Sequence, residues 1–423
     1  MAIGTDGPIA SEGPGRPGEP VLRWASRAQS IEDVEQELAR IWSSIDRSAP
    51  GGDGARTIAA RSSVMNLVVV ARRNEVAWRC ATTIQALTGR HPSRTMVVQS
   101  ADPDGPSWLD ARVEAHCVLP HEEVPETCAE MIHMTAGGEA GRHLAALVTP
   151  LLIHDLPVTV WWPDEPPFRS RPVRDLLGNA DRVVVDGSTW SGDGLQRLIE
   201  MAETARETRL TIRDFALVRQ SRWREAIASI FDDPDFLPYL HSLRRIAVTY
   251  ATHDETGAVG STNLVKPVYH VAWLSSALGM TVRQPLAPVA GGAARAGRSQ
   301  GSRPAMDRGL AASLTEDRHE MTVVVRPVAS AMPAGTTLRV ELLAERRGSE
   351  LRADVTAEAE LVRVRIWQDG VEVLDRHFTA PRRTDVDLLS EAIESGAEDP
   401  VARGTLQMAA ELAGGGGSNG RVS

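Results

Sequence analysis

The feature that most constrains this chain is an alternation of short apolar runs and helix-periodic segments between Leu67 and Leu278. Leu67–Val70 reads as a strand, and Asn74 can cap a helix whose inner face is Val76, Cys80, Ile84 and Leu87, closed by Gly89. Thr95–Val98 is the second strand of this β-α-β pattern, and Ala111–Leu119 and Thr127–Thr135 read as longer strands. Leu144, Leu147, Val148 and Leu151 mark a helix interrupted by Pro150. Pro157–Trp162 is nearly all apolar, as expected of a strand covered on both faces. Val183–Val185, Leu210–Phe215 and Ile246–Tyr250 are further strands, interleaved with helical faces at Leu195–Ala202, Trp223–Phe231 and Val268–Leu278. Such alternation predicts a mixed α/β fold, two α/β domains with helices packed on mixed sheets.

The flanking segments read differently. Residues 1–29 are rich in Gly, Pro and Ser and predict a disordered leader. Residues 30–55 hold a helix and a linker: Ser30 with Asp33 makes a capping-box-like start, and Ile31, Val34, Leu38, Ile41, Trp42 and Ile45 form a narrow apolar stripe. From Gln284 to Glu316 the composition shifts to Gly, Ala, Arg, Ser and Pro, which predicts a disordered insert. Strand-like runs resume at Met321–Arg326, Leu338–Leu343, Leu351–Thr356, Leu361–Trp367 and Val371–Phe378, with hairpin turns at Gly348-Ser349 and Asp369-Gly370. Asp385–Ile393 is a helix and 413–423 a tail. The expected domains are 56–163 and 164–412.

Charge narrows the function classes. A net charge of −10 argues against a broad nucleic-acid-binding surface and against docking on an anionic membrane. Lys266 is the only lysine and Pro267 follows it, so there is no Walker A loop. Three cysteines, Cys80, Cys117 and Cys128, do not make a disulfide-rich scaffold. The first residues lack a signal peptide's basic start and apolar core, and no run approaches the ~18 apolar residues of a membrane span, so the expected compartment is the cytoplasm.

Motifs that carry chemistry are weak. Gly13-x-Gly15-x-x-Gly18 has the dinucleotide-binding spacing but is interleaved with Pro14 and Pro17 and has no strand before it. Gly297-x-Ser299-x-Gly301 has the spacing of a nucleophile elbow in a segment without rigid walls. His116, Cys117, His121, Cys128 and His133 are the densest set of metal-ligand types but lack paired metal-site spacing. Cys117 and Cys128 could face each other in a hairpin, although a disulfide is disfavoured in a reducing compartment. Asp232, Asp233 and Asp235 read as a solvated turn. No catalytic residue, cofactor site or metal site is therefore expected. The consecutive Trp161 and Trp162 send one ring to each face of a strand, either into the core or towards a protein partner.

The stretch Leu151–Trp162, with Asp155-Leu156-Pro157-Val158 and Trp161-Trp162, resembles a hallmark of the glucose-6-phosphate dehydrogenase assembly protein family, OpcA; His154 stands where that family commonly has proline. Asp181–Ser188, Asp214-Phe215 with Trp223-Arg224 and Phe231-Asp232, Ala272–Gly279 and Pro381–Leu389 are similar to further family segments, in the same order. The resemblance implies a non-catalytic, cofactor-free partner of glucose-6-phosphate dehydrogenase that promotes assembly of that enzyme and activates it in the oxidative pentose phosphate pathway. Trp161, Trp162, Arg182, Trp223 and Arg224 are then the expected partner contacts, from the family segments and from the weight of Trp and Arg in binding hot spots. The competing expectation, from the β-α-β pattern, is a nucleotide- or sugar-phosphate-binding α/β enzyme.

Overall fold

The computed structural model describes residues 19–47, 60–61, 63–118, 127–253, 262–289, 309–396 and 399–415. In chain order the elements are β1 (Pro20–Ala28), α1 (Ile31–Arg47), β2 (Ala60–Arg61), β3 (Met65–Ala71), α2 (Asn74–Gln85), β4 (Ser93–Ser100), β5 (Trp108–Val118), β6 (Thr127–Gly137), α3 (Gly138–Arg142), α4 (Leu144–Val148), β7 (Val158–Trp162), α5 (Arg171–Leu177) and β8 (Arg182–Val185). There follow α6 (Leu195–Glu207), β9 (Thr211–Asp214), α7 (Phe215–Val218), α8 (Ser221–Phe231), β10 (Leu243–Thr252), α9 (Val265–Ala277), β11 (Thr281–Pro288), β12 (Leu310–Glu316), β13 (His319–Ala329), β14 (Thr337–Arg346), β15 (Ser349–Glu358), β16 (Leu361–Gln368), β17 (Val371–Thr379), α10 (Asp385–Glu394) and α11 (Pro400–Leu412). The fold is mixed α/β, as the alternation predicts.

Nine strands form the first sheet, in the order β1-β5-β6-β4-β3-β7-β8-β9 with β2 beside β6. The run from β6 through β4, β3 and β7 to β8 is parallel, and β5 and β1 add antiparallel strands at one side. Every residue of β3 and β7 is buried, which is why both read as unbroken apolar runs. The second sheet has eight strands, in the order β11-β12-β13-β10-β14-β15-β16-β17, with β10 and β13 parallel and the other pairs antiparallel.

The chain forms two compact units: Met1–Val185 with Thr208–Arg213 and Thr384–Ala397, and Asp186–Glu207 with Asp214–Arg383 and Glu398–Ser423. This differs from the expected division at 163/164, because β8 and β9 extend the same sheet as β7 and carry the first unit past Pro163.

Four local expectations need correction. Pro20–Ala28, assigned to the disordered leader, is a strand paired antiparallel with β5; composition averaged over 1–29 hid it, and 1–18 lie outside the described residues. The insert expected at 284–316 has ordered margins, since β11 pairs with β12; residues 290–308, with the Gly297-x-Ser299-x-Gly301 motif, lie outside the described residues, as does the Gly13 motif. The hairpin turn at Gly348 is Arg347-Gly348, both with positive φ (52° and 83°), and Ser349 already belongs to β15. Arg73, not Asn74, occupies the cap position of α2. Asp369 and Gly370, with φ of 51° and 83°, form the expected hairpin turn.

Candidate functional site

The fold places the five expected contact residues as follows. Trp161 and Trp162 lie on β7 and are only 2% and 3% exposed, so both rings are buried in the chain by itself. Arg182 opens β8 and donates from its two terminal nitrogens to the carbonyl oxygens of Ile393 (2.7 Å) and Ser395 (2.8 Å). Those carbonyls end α10, where backbone acceptors have no partner within the helix, so the guanidinium serves as a clamp for that terminus. Trp223 and Arg224 lie on α8 and are half-buried. The Trp223 ring centre is 5.0 Å from that of His270 on α9, and Arg224 donates to the Leu217 carbonyl at 3.0 Å. Trp161, Trp162 and Arg182 belong to the first compact unit and Trp223 and Arg224 to the second.

The residues proposed as metal-ligand types are already committed. Cys117 and Cys128 stand directly opposite in the β5–β6 register and are joined by a disulfide. His116 bonds Glu114 at 2.7 Å, and His133 Nε2 is 3.5 Å from the same carboxylate. Burial alone would raise Glu114, but the hydrogen bonds from His116 and His133 bring its pKa down to about 2. Among the described residues no group of three or more His, Cys, Asp or Glu side chains is arranged to hold a metal ion; His121 lies outside them. Cys80 is a buried thiol that burial pushes up to about 12. The acidic turn after α8 is as expected, with Asp235 N donating to Asp233 Oδ1 at 3.0 Å.

A cluster that the sequence motifs did not single out lies in the second unit, where the chain leaves β8 and β9. Asp186 accepts from Ser188 Oγ (2.6 Å) and from Arg219 (2.8 Å). Asp214 accepts from the backbone N–H groups of Gly187 and Ala216 and from the Tyr269 hydroxyl, each at 2.8 Å. Burial, with the nearby charge of Asp186, raises Asp214 to about 7 against those three donors. Burial and the charge of Arg219 lower Lys266. A carboxyl raised towards neutrality beside a tyrosine, with a lysine near its neighbour Asp186, is an acid–base inventory. Its bonds, however, are internal: Asp214 caps the first turn of α7 and holds the turn at Gly187, where an added Cβ would come within 2.5 Å of Asp214 Oδ2. The signal for this cluster was an Asp at the end of each strand, Asp186 directly after β8 and Asp214 as the last residue of β9. A shallow depression with no room for a water molecule inside it lies elsewhere, between α8 and the strands β16 and β17, and includes Ser229, Asp233, Phe236, Ile366 and Arg376.

Comparison with known proteins gives the following. Residues 84–203 match the family model described as glucose-6-phosphate dehydrogenase subunit N-terminal domain, and 210–403 match the corresponding C-terminal domain. Together they span about three quarters of the chain. The chain is 25% identical over 175 residues to a Synechocystis protein named OxPP cycle protein OpcA, covering 41% of this chain and 34% of that one. It is 23% identical over 177 residues to its Synechococcus elongatus namesake, covering 42% and 37%. The chain thus spans about a third of the length of these relatives. Among solved structures it is similar to the transcriptional regulator Gal80p of Kluyveromyces lactis (TM-score 0.42, 10% identity, 84% of this chain and 91% of that one). It is also similar to an NAD binding oxidoreductase from Klebsiella pneumoniae (TM-score 0.41, 10% identity, 84% and 96%).

Proposed function

Because the chain belongs to the OpcA family of glucose-6-phosphate dehydrogenase assembly proteins, we propose that it is a non-catalytic partner of that dehydrogenase, acting in the cytoplasm to favour its active oligomer and so to feed NADPH production. The observation that carries this reading is the pair of family matches, in order and nearly contiguous, over 84–203 and 210–403. The mechanism is a population shift: a protein that binds the active assembly better than the inactive one raises its share without supplying any reacting group. A coupling of ~1–3 kcal/mol changes substrate affinity about 5- to 150-fold. Trp223 and Arg224 keep partial exposure and stay as contact candidates; Trp161, Trp162 and Arg182 act through the fold.

The test is an assay of the purified dehydrogenase from the same organism with and without this chain. Activation and co-elution are expected; unchanged kinetics with separate elution would reject the reading. One observation favours a second reading, a nucleotide- or sugar-phosphate-binding enzyme: within the second unit Asp214, raised to about 7, shares a cluster with Asp186, Arg219 and Lys266. Turnover by the isolated chain, abolished by Asp214→Asn in a variant that still folds, would favour that reading.

A further inference from the structure

In the second unit the chain leaves α7 through Arg219 and Gln220 before α8 begins at Ser221. This connection lies against the first turn of α9: α7 contacts α9, and Gln220 Nε2 donates to the Lys266 carbonyl at 2.7 Å. Lys266 is the second residue of α9. That turn has no acidic residue and no side-chain cap at Leu264, although Asn263 Oδ1 takes the Val265 N–H at 3.0 Å. A lysine there runs against the helix dipole, since the first N–H groups already carry partial positive charge. An anion bound beside them would reverse that penalty.

Lys266 is the chain's one lysine and is half-buried, yet among the described residues no carboxylate stands within ion-pair distance of its ammonium. The charges that bear on it are Arg219 and, more weakly, Asp186. Asp186 is already bonded to Arg219 at 2.8 Å and to Ser188 Oγ at 2.6 Å. The other acids of this region are engaged too. Asp214 accepts from two backbone N–H groups and Tyr269, Asp193 accepts from the Leu195 N–H, and Glu225 pairs with Arg222. Two buried side chains against the same turn also leave polar atoms unbonded. Gln220 is 3% exposed with Oε1 unpartnered. His270, one helical turn after Lys266 on the same side of α9, is 2% exposed with Nδ1 unpartnered. Burial, then the charges of Arg224 and Lys266, bring His270 down to about 3, so it adds no charge of its own at neutral pH. A half-buried cation without a counter-ion, beside orphaned buried polar atoms, costs free energy that a bound anion would recover.

We propose that Lys266 and Arg219, at the start of α9, form a binding site for the phosphate group of a small phosphorylated ligand. A phosphate dianion answers each feature at once. It supplies the counter-ion that Lys266 lacks, offsets the repulsion between Lys266 and Arg219, and suits the positive end of α9. A carboxylate, with one charge and two oxygens, answers fewer of them. Under the function proposed above this is an effector site, but binding itself requires no dehydrogenase, so the site and that function stand or fall separately.

The experiment is calorimetric titration of the full chain with inorganic phosphate, glucose 6-phosphate and, as the uncharged counterpart, glucose. It compares the wild type with Lys266→Gln, Lys266→Arg, Arg219→Gln and the exposed control Arg283→Gln on β11, with melting temperatures measured for all. Phosphate or its ester should bind and glucose should not. Affinity should fall about tenfold or more for Lys266→Gln and Arg219→Gln, less for Lys266→Arg, and stay within about twofold for the control. Tighter binding of inorganic phosphate assigns the site to the free ion, and tighter binding of glucose 6-phosphate assigns it to an ester. A second measurement needs no variant and decides the matter if the substitutions do not fold. With one lysine in the chain, lysine labelled with ¹³C at Cε gives one side-chain NMR signal. Phosphate should shift that signal to saturation, and chloride at equal ionic strength should not. No binding by the wild type, folded variants that bind phosphate as the wild type does, or an unmoved lysine signal would each overturn the site.

Discussion

Asp214 is buried and still accepts three hydrogen bonds, so its charge state decides how much those bonds are worth. Burial comes first and the charge of Asp186 second in raising it to about 7. An unfolded aspartate titrates near about 4, so the folded chain holds this proton more tightly. The stability it contributes is fully present below about pH 4 and is lost as pH rises through about 7. Asp214→Asn removes the titration and leaves Tyr269 facing an amide group. The advantage of wild type over this variant should therefore widen as pH falls from neutrality, by an amount on the order of 4 kcal/mol, read from denaturant melts at several pH values. A constant gap would show that Asp214 titrates normally. Trp161 makes the complementary point about residue type. A tryptophan in a family segment reads as an interface anchor, yet at 2% exposure it fills space beside β3. Trp161→Ala should cost about 3–5 kcal/mol of stability, with any loss of partner binding following from unfolding. Sequence gave the side chain's strand and face, but only the sheet order reveals that both faces are covered.

At the scale of elements, two separated segments explain each other. Arg182, at the start of β8, and Arg213, near the end of β9, both reach the end of α10: Arg182 bonds the Ile393 and Ser395 carbonyls, and Arg213 bonds Ser395 Oγ and the Gly396 carbonyl, each at 2.8 Å. The other end of α10 carries a capping box, with Asp387 N donating to Thr384 Oγ1 at 3.2 Å and Thr384 N donating to Asp387 Oδ2 at 2.9 Å. Arg182→Ala should therefore destabilise the first unit by roughly 2–4 kcal/mol, visible as earlier hydrogen exchange in α10. Unaltered protection of α10 would contradict the clamp. The disulfide gives a second test. Cys117 and Cys128 are 11 residues apart, and closing so short a loop stabilises by about 3 kcal/mol in the chain-entropy view. Labelling without reductant should find one thiol, Cys80, and only after denaturation; three should react after denaturation with reductant. The sequence supported most of these elements because β3, β7 and β10 are apolar over much of their length. It did not show β1, β11 or β12, whose pairing partners are supplied by the sheets and whose composition is that of the loops beside them.

At the scale of the whole molecule, the question is what a chain that acts as a partner can do to an enzyme. A catalyst that modified the dehydrogenase would act at trace amounts and leave the change behind when removed. A partner that shifts a population must be present in proportion to its target, and its effect must vanish on separation. Titrating the dehydrogenase with this chain should therefore saturate at a fixed molar ratio, and removing the chain should restore the starting kinetics. The same scheme imposes reciprocity on the binding free energies: if the chain tightens substrate binding by a factor within the range of about 5 to 150, substrate must tighten binding of the chain by that factor. Measuring the affinity of the chain for the dehydrogenase with and without bound substrate, against substrate affinity with and without the chain, closes the cycle. Equal factors fit a two-state shift. A chain that binds equally well at every substrate concentration while still accelerating turnover would require a contribution to the chemical step itself, and the cluster at Asp186, Asp214 and Lys266 would then be where to look for it.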